Sequence, residues 1–147
     1  MMFILLMRKS KSLSKREYKH LPDRTPRGDE FYKKFRMNGY EIIQRISDNY
    51  INVTYLDYQI NLLRVKNSTL KRASYFVYLL GNRGHNFILA LYVKGLLDDN
   101  TPPYTNVDGV RGNNTWMHPF VFMDYFYSIS AANAISLLWL LINEDQK

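Results

Sequence analysis

Gly112-Asn113-Asn114-Thr115-Trp116-Met117-His118-Pro119 opens a long, almost uncharged run that reaches Asn143. Pro119 suits a first helical position, where its missing N–H would go unpaired in any case. Thr115-Trp116 has the β-branched and aromatic character of a strand. Together they read as the end of a hairpin feeding a buried helix.

Downstream of that corner, Asp124 is the only formal charge between Met117 and Asn143. Pro119, Ser128, Ser130, Asn133 and Ser136 interrupt the apolar pattern, and 137–142 is far shorter than the roughly 20 residues needed to cross a bilayer. Two buried helices at 119–128 and 131–142, the second capped by Ser130, account for it, so the chain is expected to be soluble. Upstream, 104–117 predicts a hairpin. Asp108-Gly109 fits a type I′ turn, which needs positive φ at both central residues. Gly112-Asn113-Asn114 offers a second turn site, so the register stays open.

The same reading extends to the N-terminal half. Residues 31–35 predict a short ordered segment, 40–46 a strand and 50–53 a second strand, joined by an Asp48-Asn49 turn. Thr54 caps a helix over 55–63. A second helix runs from Ser68/Thr69 to Leu80, with Leu70, Ala73, Val77 and Leu80 on one face and Gly81 stopping it. Residues 87–95 form a largely buried helix, and 98–103 a loop.

At 147 residues, with 46% hydrophobic and 22% charged residues, the chain has ordinary globular composition and length for one domain with a core. It has no cysteine, which excludes disulfides and thiolate metal sites. His20, His85 and His118 lack ligand-like spacing. The net charge of +7 is concentrated: residues 8–27 hold eight Lys/Arg against Glu17 and Asp23. Residues 1–30, broken by Pro22, Pro26 and Gly28, read as a flexible basic arm, and 31–147 as the domain. Such an arm fits a polyanion, because cations meeting phosphates release condensed counterions; a solvated tail with no target fits the charge equally well. The apolar start, 1–7, precedes its basic residues, the reverse of a signal peptide. It reads as a short strand, a disordered start, or a segment upstream of an alternative start at Met7.

Two segments carry a family resemblance. Asp48-Asn49-Tyr50-Ile51-Asn52-Val53-Thr54-Tyr55-Leu56 resembles the "D-G-Y-I-N-A-T-K-L" of the KilA-N domain of bacteriophages and large DNA viruses, a relative of the fungal APSES DNA-binding domain. Gly112 to Pro119 is similar to that family's "G-x-x-T-W-V-H-P", and Tyr125 to Ala134 loosely matches its "A-x-W-I-S-P-E-F-A". The resemblance covers about 38–143 and departs at Asn49, Val53 and Tyr55, where Gly, Ala and Lys are usual. It implies an α+β, winged-helix-like fold with about four helices and two small β-hairpins. It further implies a non-enzymatic viral or phage regulatory or accessory protein that binds double-stranded DNA in the host cytoplasm, without cofactors.

DNA binding needs cations for phosphates and amides or guanidinia for base edges. Arg64, Lys66, Asn67, Lys71 and Arg72, around the start of the second helix, are the first candidates, with Asn61 and Ser68 beside them. Arg83 and His85 are expected in a short loop after that helix. Arg111, Asn113 and Asn114 would form a hairpin wing reaching an adjacent groove. Trp116 and His118 are expected in the core and at the helix start, Tyr50 and Ile51 inside, and Asn52 on backbone at the strand-to-helix turn. No strand-borne carboxylate pair with a nearby Lys, no Gly-rich phosphate loop and no nucleophile–base arrangement stands out. A protein–protein interaction module on the same fold, and an RNA-binding protein, are the alternatives.

Overall fold

The computed structural model describes residues 32–66, 72–109 and 112–145. Among them the fold is α+β, with five helices and one five-stranded antiparallel sheet of order β1-β2-β3-β5-β4. The strands are β1 (Tyr32–Met37), β2 (Tyr40–Arg45), β3 (Ile51–Asn52), β4 (Tyr104–Gly109) and β5 (Gly112–Met117). The helices are α1 (Val53–Lys66), α2 (Tyr75–Leu80), α3 (Asn82–Val93), α4 (Pro119–Ile129) and α5 (Ala131–Asp145). The two expected hairpins are present as β2-β3 and β4-β5; β1 adds an unexpected edge strand, and pairing of β3 with β5 makes a single sheet.

The short ordered segment expected at 31–35 is a full strand. Asn38 and Gly39, at φ 50° and 91°, turn β1 back onto β2, and positive φ at both central residues gives that tight turn its twist. Asn49 also takes positive φ, and Asp48 Oδ1 accepts from the Tyr50 N–H, closing the expected turn. In the second hairpin the register pairs Asp108 with Asn113 and Gly109 with Gly112. Both candidate turn sites therefore lie in strands, and the linking residues 110 and 111 fall outside the described ones.

Between β2 and β5 the short β3 leaves a gap that α1 fills. The Gln59 amide accepts from the Glu41 N–H at 2.8 Å and donates to the Glu41 carbonyl at 2.9 Å. Thr54 Oγ1 accepts from the Thr115 N–H at 2.8 Å on the other side. A helix thus satisfies backbone groups that a strand would otherwise pair. The expected cap changes accordingly: Asn52 Oδ1 takes the Tyr55 N–H, while Thr54, already inside α1, is committed to β5.

Helices on one sheet face enclose the main core, with Ile42, Val53, Met117, Val121, Phe122 and Phe126 fully buried. A smaller cluster of Tyr32, Ile43, Tyr50, Tyr55 and Trp116 occupies the other face. Trp116 is 1% exposed; the Tyr32 ring stacks on it at 5.5 Å and the Arg45 guanidinium lies 4.7 Å from its centroid. At the corner, His118 Nδ1 accepts from the Phe120 N–H and Pro119 begins α4. Ser130 ends α4 and caps α5 through Asn133, as expected.

The helix expected from 68 to 80 is much shorter. Ser74 is its N-cap, accepting from the Val77 N–H, and 72–74 are not helical. Val77 and Leu80, expected on the buried face, are exposed, while Tyr78 is buried in their place. The third helix begins earlier than expected, at Asn82, directly after Gly81. Gly84 permits this tight packing, because a Cβ there would lie 2.2 Å from the Tyr78 carbonyl oxygen.

Candidate nucleic-acid interface

The expected cations fall into three groups. Arg64 and Lys66 are exposed in the last turn of α1. Asn61, one turn earlier, donates to the Ala73 carbonyl and accepts from the Ala73 N–H. That reciprocal pair binds the end of α1 to the segment 72–74, which carries Arg72. Asn61 is thereby structural. Asn67, Ser68 and Lys71 lie outside the described residues.

Arg72 is exposed and precedes α2 instead of opening a helix; it has no ion-pair partner among the described residues. Together with Arg83 it lines a cavity of about 540 Å³, which Tyr78, Tyr125 and Ile129 also border. Arg83 lies in the first turn of α3 rather than in a loop. Its guanidinium grips Asp124 through two bonds, Nη2 to Oδ1 at 2.9 Å and Nε to Oδ2 at 3.3 Å. The Tyr127 ring lies 5.9 Å from the same guanidinium. Hydrogen bonding to Asp124 raises the Arg83 pKa above its ordinary value. This pair holds the guanidinium in place on the surface, although exposed pairs add about 0–1 kcal/mol to stability.

Beneath the cavity a polar network fixes α1, α2 and α4. Tyr78 donates to Asp124 Oδ2 at 2.7 Å. Asp57 accepts from Tyr125 Oη and, at 2.8 Å, from the Tyr75 N–H. Burial pushes the Asp57 carboxyl up to about 6, against the hydrogen bonds from Tyr125 and Tyr75. Burial, reinforced by the neighbouring carboxylates, also pushes the Tyr78 and Tyr125 hydroxyls above the usual phenol range. Both phenols therefore serve as donors that orient the carboxylates.

The start of α3 carries the expected Arg83 and His85 and adds Asn82 and Asn86, which the sequence pattern alone does not single out. Asn82, Arg83, His85 and Asn86 are all exposed on its first turns, and such side chains suit base edges or phosphates. A signal for them exists: Gly81 can begin a helix as well as end one, which puts 82–86 on a helix rather than in a loop.

The hairpin contributes less than expected. Asn114 is buried, its Oδ1 accepting from Asn52 Nδ2 at 3.3 Å, so it cannot reach a groove. It lies on the sheet face that holds Trp116, which a turn-based reading does not reveal. Asn113 sits in β5 opposite Asp108. Arg111 falls outside the described residues. Among the described residues, no three His, Asp or Glu side chains are grouped as a metal site needs, and no helix is long and apolar enough to cross a membrane.

Compared with family models, with curated proteins and with solved structures, the chain matches none.

Proposed function

We propose that this chain binds double-stranded DNA, and that the KilA-N-like segments mark a viral or phage regulatory or accessory protein. The interface runs from the end of α1 through 72–74 to the start of α3. Arg64, Lys66, Arg72 and Arg83 attach to phosphates, while Asn82, His85 and Asn86 address base edges at the N-terminal end of α3. The observation that carries this reading is the convergence of Arg72 and Arg83 on one cavity rim beside those three exposed side chains. Helix N-terminal residues are the ones that commonly meet bases in helix-based readers.

Fluorescence anisotropy against duplex DNA, single-stranded DNA and RNA across a salt series tests it. Arg72→Ala with Arg83→Ala is expected to weaken duplex binding and to lower the salt slope by about 0.9 for each phosphate no longer neutralised. Unchanged affinity and slope would remove these arginines from the interface. Asn82→Ala and Asn86→Ala are expected to relax sequence preference, at about 1–3 kcal/mol for each base pair no longer read. Tighter binding to single strands or RNA would redirect the assignment.

A second reading, a protein-binding module, is favoured by Phe76, Val77 and Leu80, which are exposed on α2 next to the same rim. Absence of binding to all three nucleic acids, together with a stable protein complex in a pull-down, decides for it.

A further inference from the structure

Helix α5 is apolar on two faces. Ala134, Leu137 and Leu141 are buried in the main core. Away from them, Ile135, Leu138, Trp139 and Ile142 are 58, 37, 63 and 36% exposed. Their spacing places them on one helical stripe. No charged residue occurs from Ala131 to Asn143. A helix that is hydrophobic nearly all round is normally a buried one, so the core accounts for only one of its faces.

We propose that this stripe is the interface of a homodimer. The four positions are symmetric about the midpoint between Leu138 and Trp139. Two α5 helices crossing antiparallel on a two-fold axis at that midpoint set Ile135 against Ile142 of the second copy, and Leu138 against Trp139. Every apolar side chain then meets an apolar one, as a self-complementary isologous interface requires. With no charge on the stripe, two strongly basic molecules can approach there without desolvating cations. At these exposures the four side chains offer on the order of 400 Å² of surface. With their rims, two copies would bury on the order of 1,000 Å², the lower bound for a specific interface. The dimer is accordingly expected to form with rising concentration and to dissociate on dilution. Its formation does not depend on the nucleic-acid interface.

Analytical ultracentrifugation of the full chain tests it directly. The mass is expected to move from 17.5 kDa toward twice that value as concentration rises. Trp139→Glu and Ile135→Glu, both exposed substitutions, should each hold the chain monomeric with an unchanged circular dichroism spectrum. Trp116 is already buried, so any blue shift in tryptophan emission on association reports Trp139. Because the chain has no cysteine, Leu138→Cys can be oxidised without interference. It should form disulfide-linked dimers much faster than Asn100→Cys, at an exposed polar position in the 98–103 loop. Three results would each overturn the proposal: a wild-type chain that stays monomeric to its solubility limit, association indifferent to both Glu variants, or equal cross-linking from positions 138 and 100. A monomer whose Trp139 emission is already blue-shifted at all concentrations would overturn it too, and would assign the stripe to a segment of the same chain.

Discussion

The corner at Thr115–Pro119 and the rim around Arg72 and Arg83 use polar residues in opposite ways. At the corner, Asn52, Thr54, Asn114 and His118 are engaged with one another or with backbone, and Thr115 Oγ1 is bonded to Asn106 and Tyr75. At the rim, Arg72, Asn82, His85 and Asn86 are exposed to solvent. Polar side chains close to a recognisable motif can therefore be wholly occupied in building it, leaving surface chemistry to residues with no motif around them.

Replacing Trp116 should produce the largest separation between the two regions. Trp116→Ala removes the ring between Tyr32 and Arg45 and is expected to cost about 3–5 kcal/mol in chemical denaturation. Nucleic-acid affinity of the molecules that remain folded should not change. A loss of affinity in that folded fraction would mean that the corner belongs to the interface.

Two groups give opposing pH dependences and sharpen the comparison further. Asp57, beneath the rim, titrates near 6 when folded and near 3.9 when unfolded. The folded state holds that proton more tightly, so stability falls as pH rises from about 4 to 6, by on the order of 2 kcal/mol. His118, at the corner, is pushed below its ordinary value by burial, which the nearby Asp48 partly opposes. Its contribution is complete above the unfolded value of about 6.5 and is lost as pH falls below it. Melting curves of Asp57→Asn should therefore lose stability more steeply on acidification than wild type, and those of His118→Asn less steeply. Parallel profiles for all three proteins would contradict both assignments.

Smaller effects follow at the polar positions themselves. Asn52→Ala removes the Tyr55 cap and the Asn114 partner and is expected to cost about 1–2 kcal/mol. Arg72→Ala should change stability by no more than about 0.5 kcal/mol while lowering duplex affinity. If urea titrations showed the two variants equally destabilised, the distinction between a bonded corner and an open rim would fail.

The helix starts and stops are legible in the sequence because their chemistry is local. Pro119 starting a helix, Ser130 capping the next, Gly81 ending one and Asn52 bonding backbone all depend on neighbours a few residues away. The second helix misleads because Ala73, Val77 and Leu80 keep helical spacing without sharing a buried face, while Leu70 lies outside the described residues. Ser74 starts the helix late, and Tyr78, held by Asp124, becomes its inward residue. Pairing of β3 with β5 joins residues more than sixty positions apart, and no local pattern encodes that. Asn114 deceives for the same reason: its partner is Asn52, remote in sequence. Arg72 and Arg83 both stand out as cations in the chain, but their shared cavity exists only once α2, α3 and α4 have packed.

An interrupted sheet would ordinarily offer foreign chains a place to add a strand. Here the Gln59 amide occupies the hydrogen-bonding positions of Glu41 where β3 stops short. With Thr54 doing the same for Thr115 on the β5 side, two side chains of one helix close the middle of the sheet, among the described residues, to amyloid-like growth.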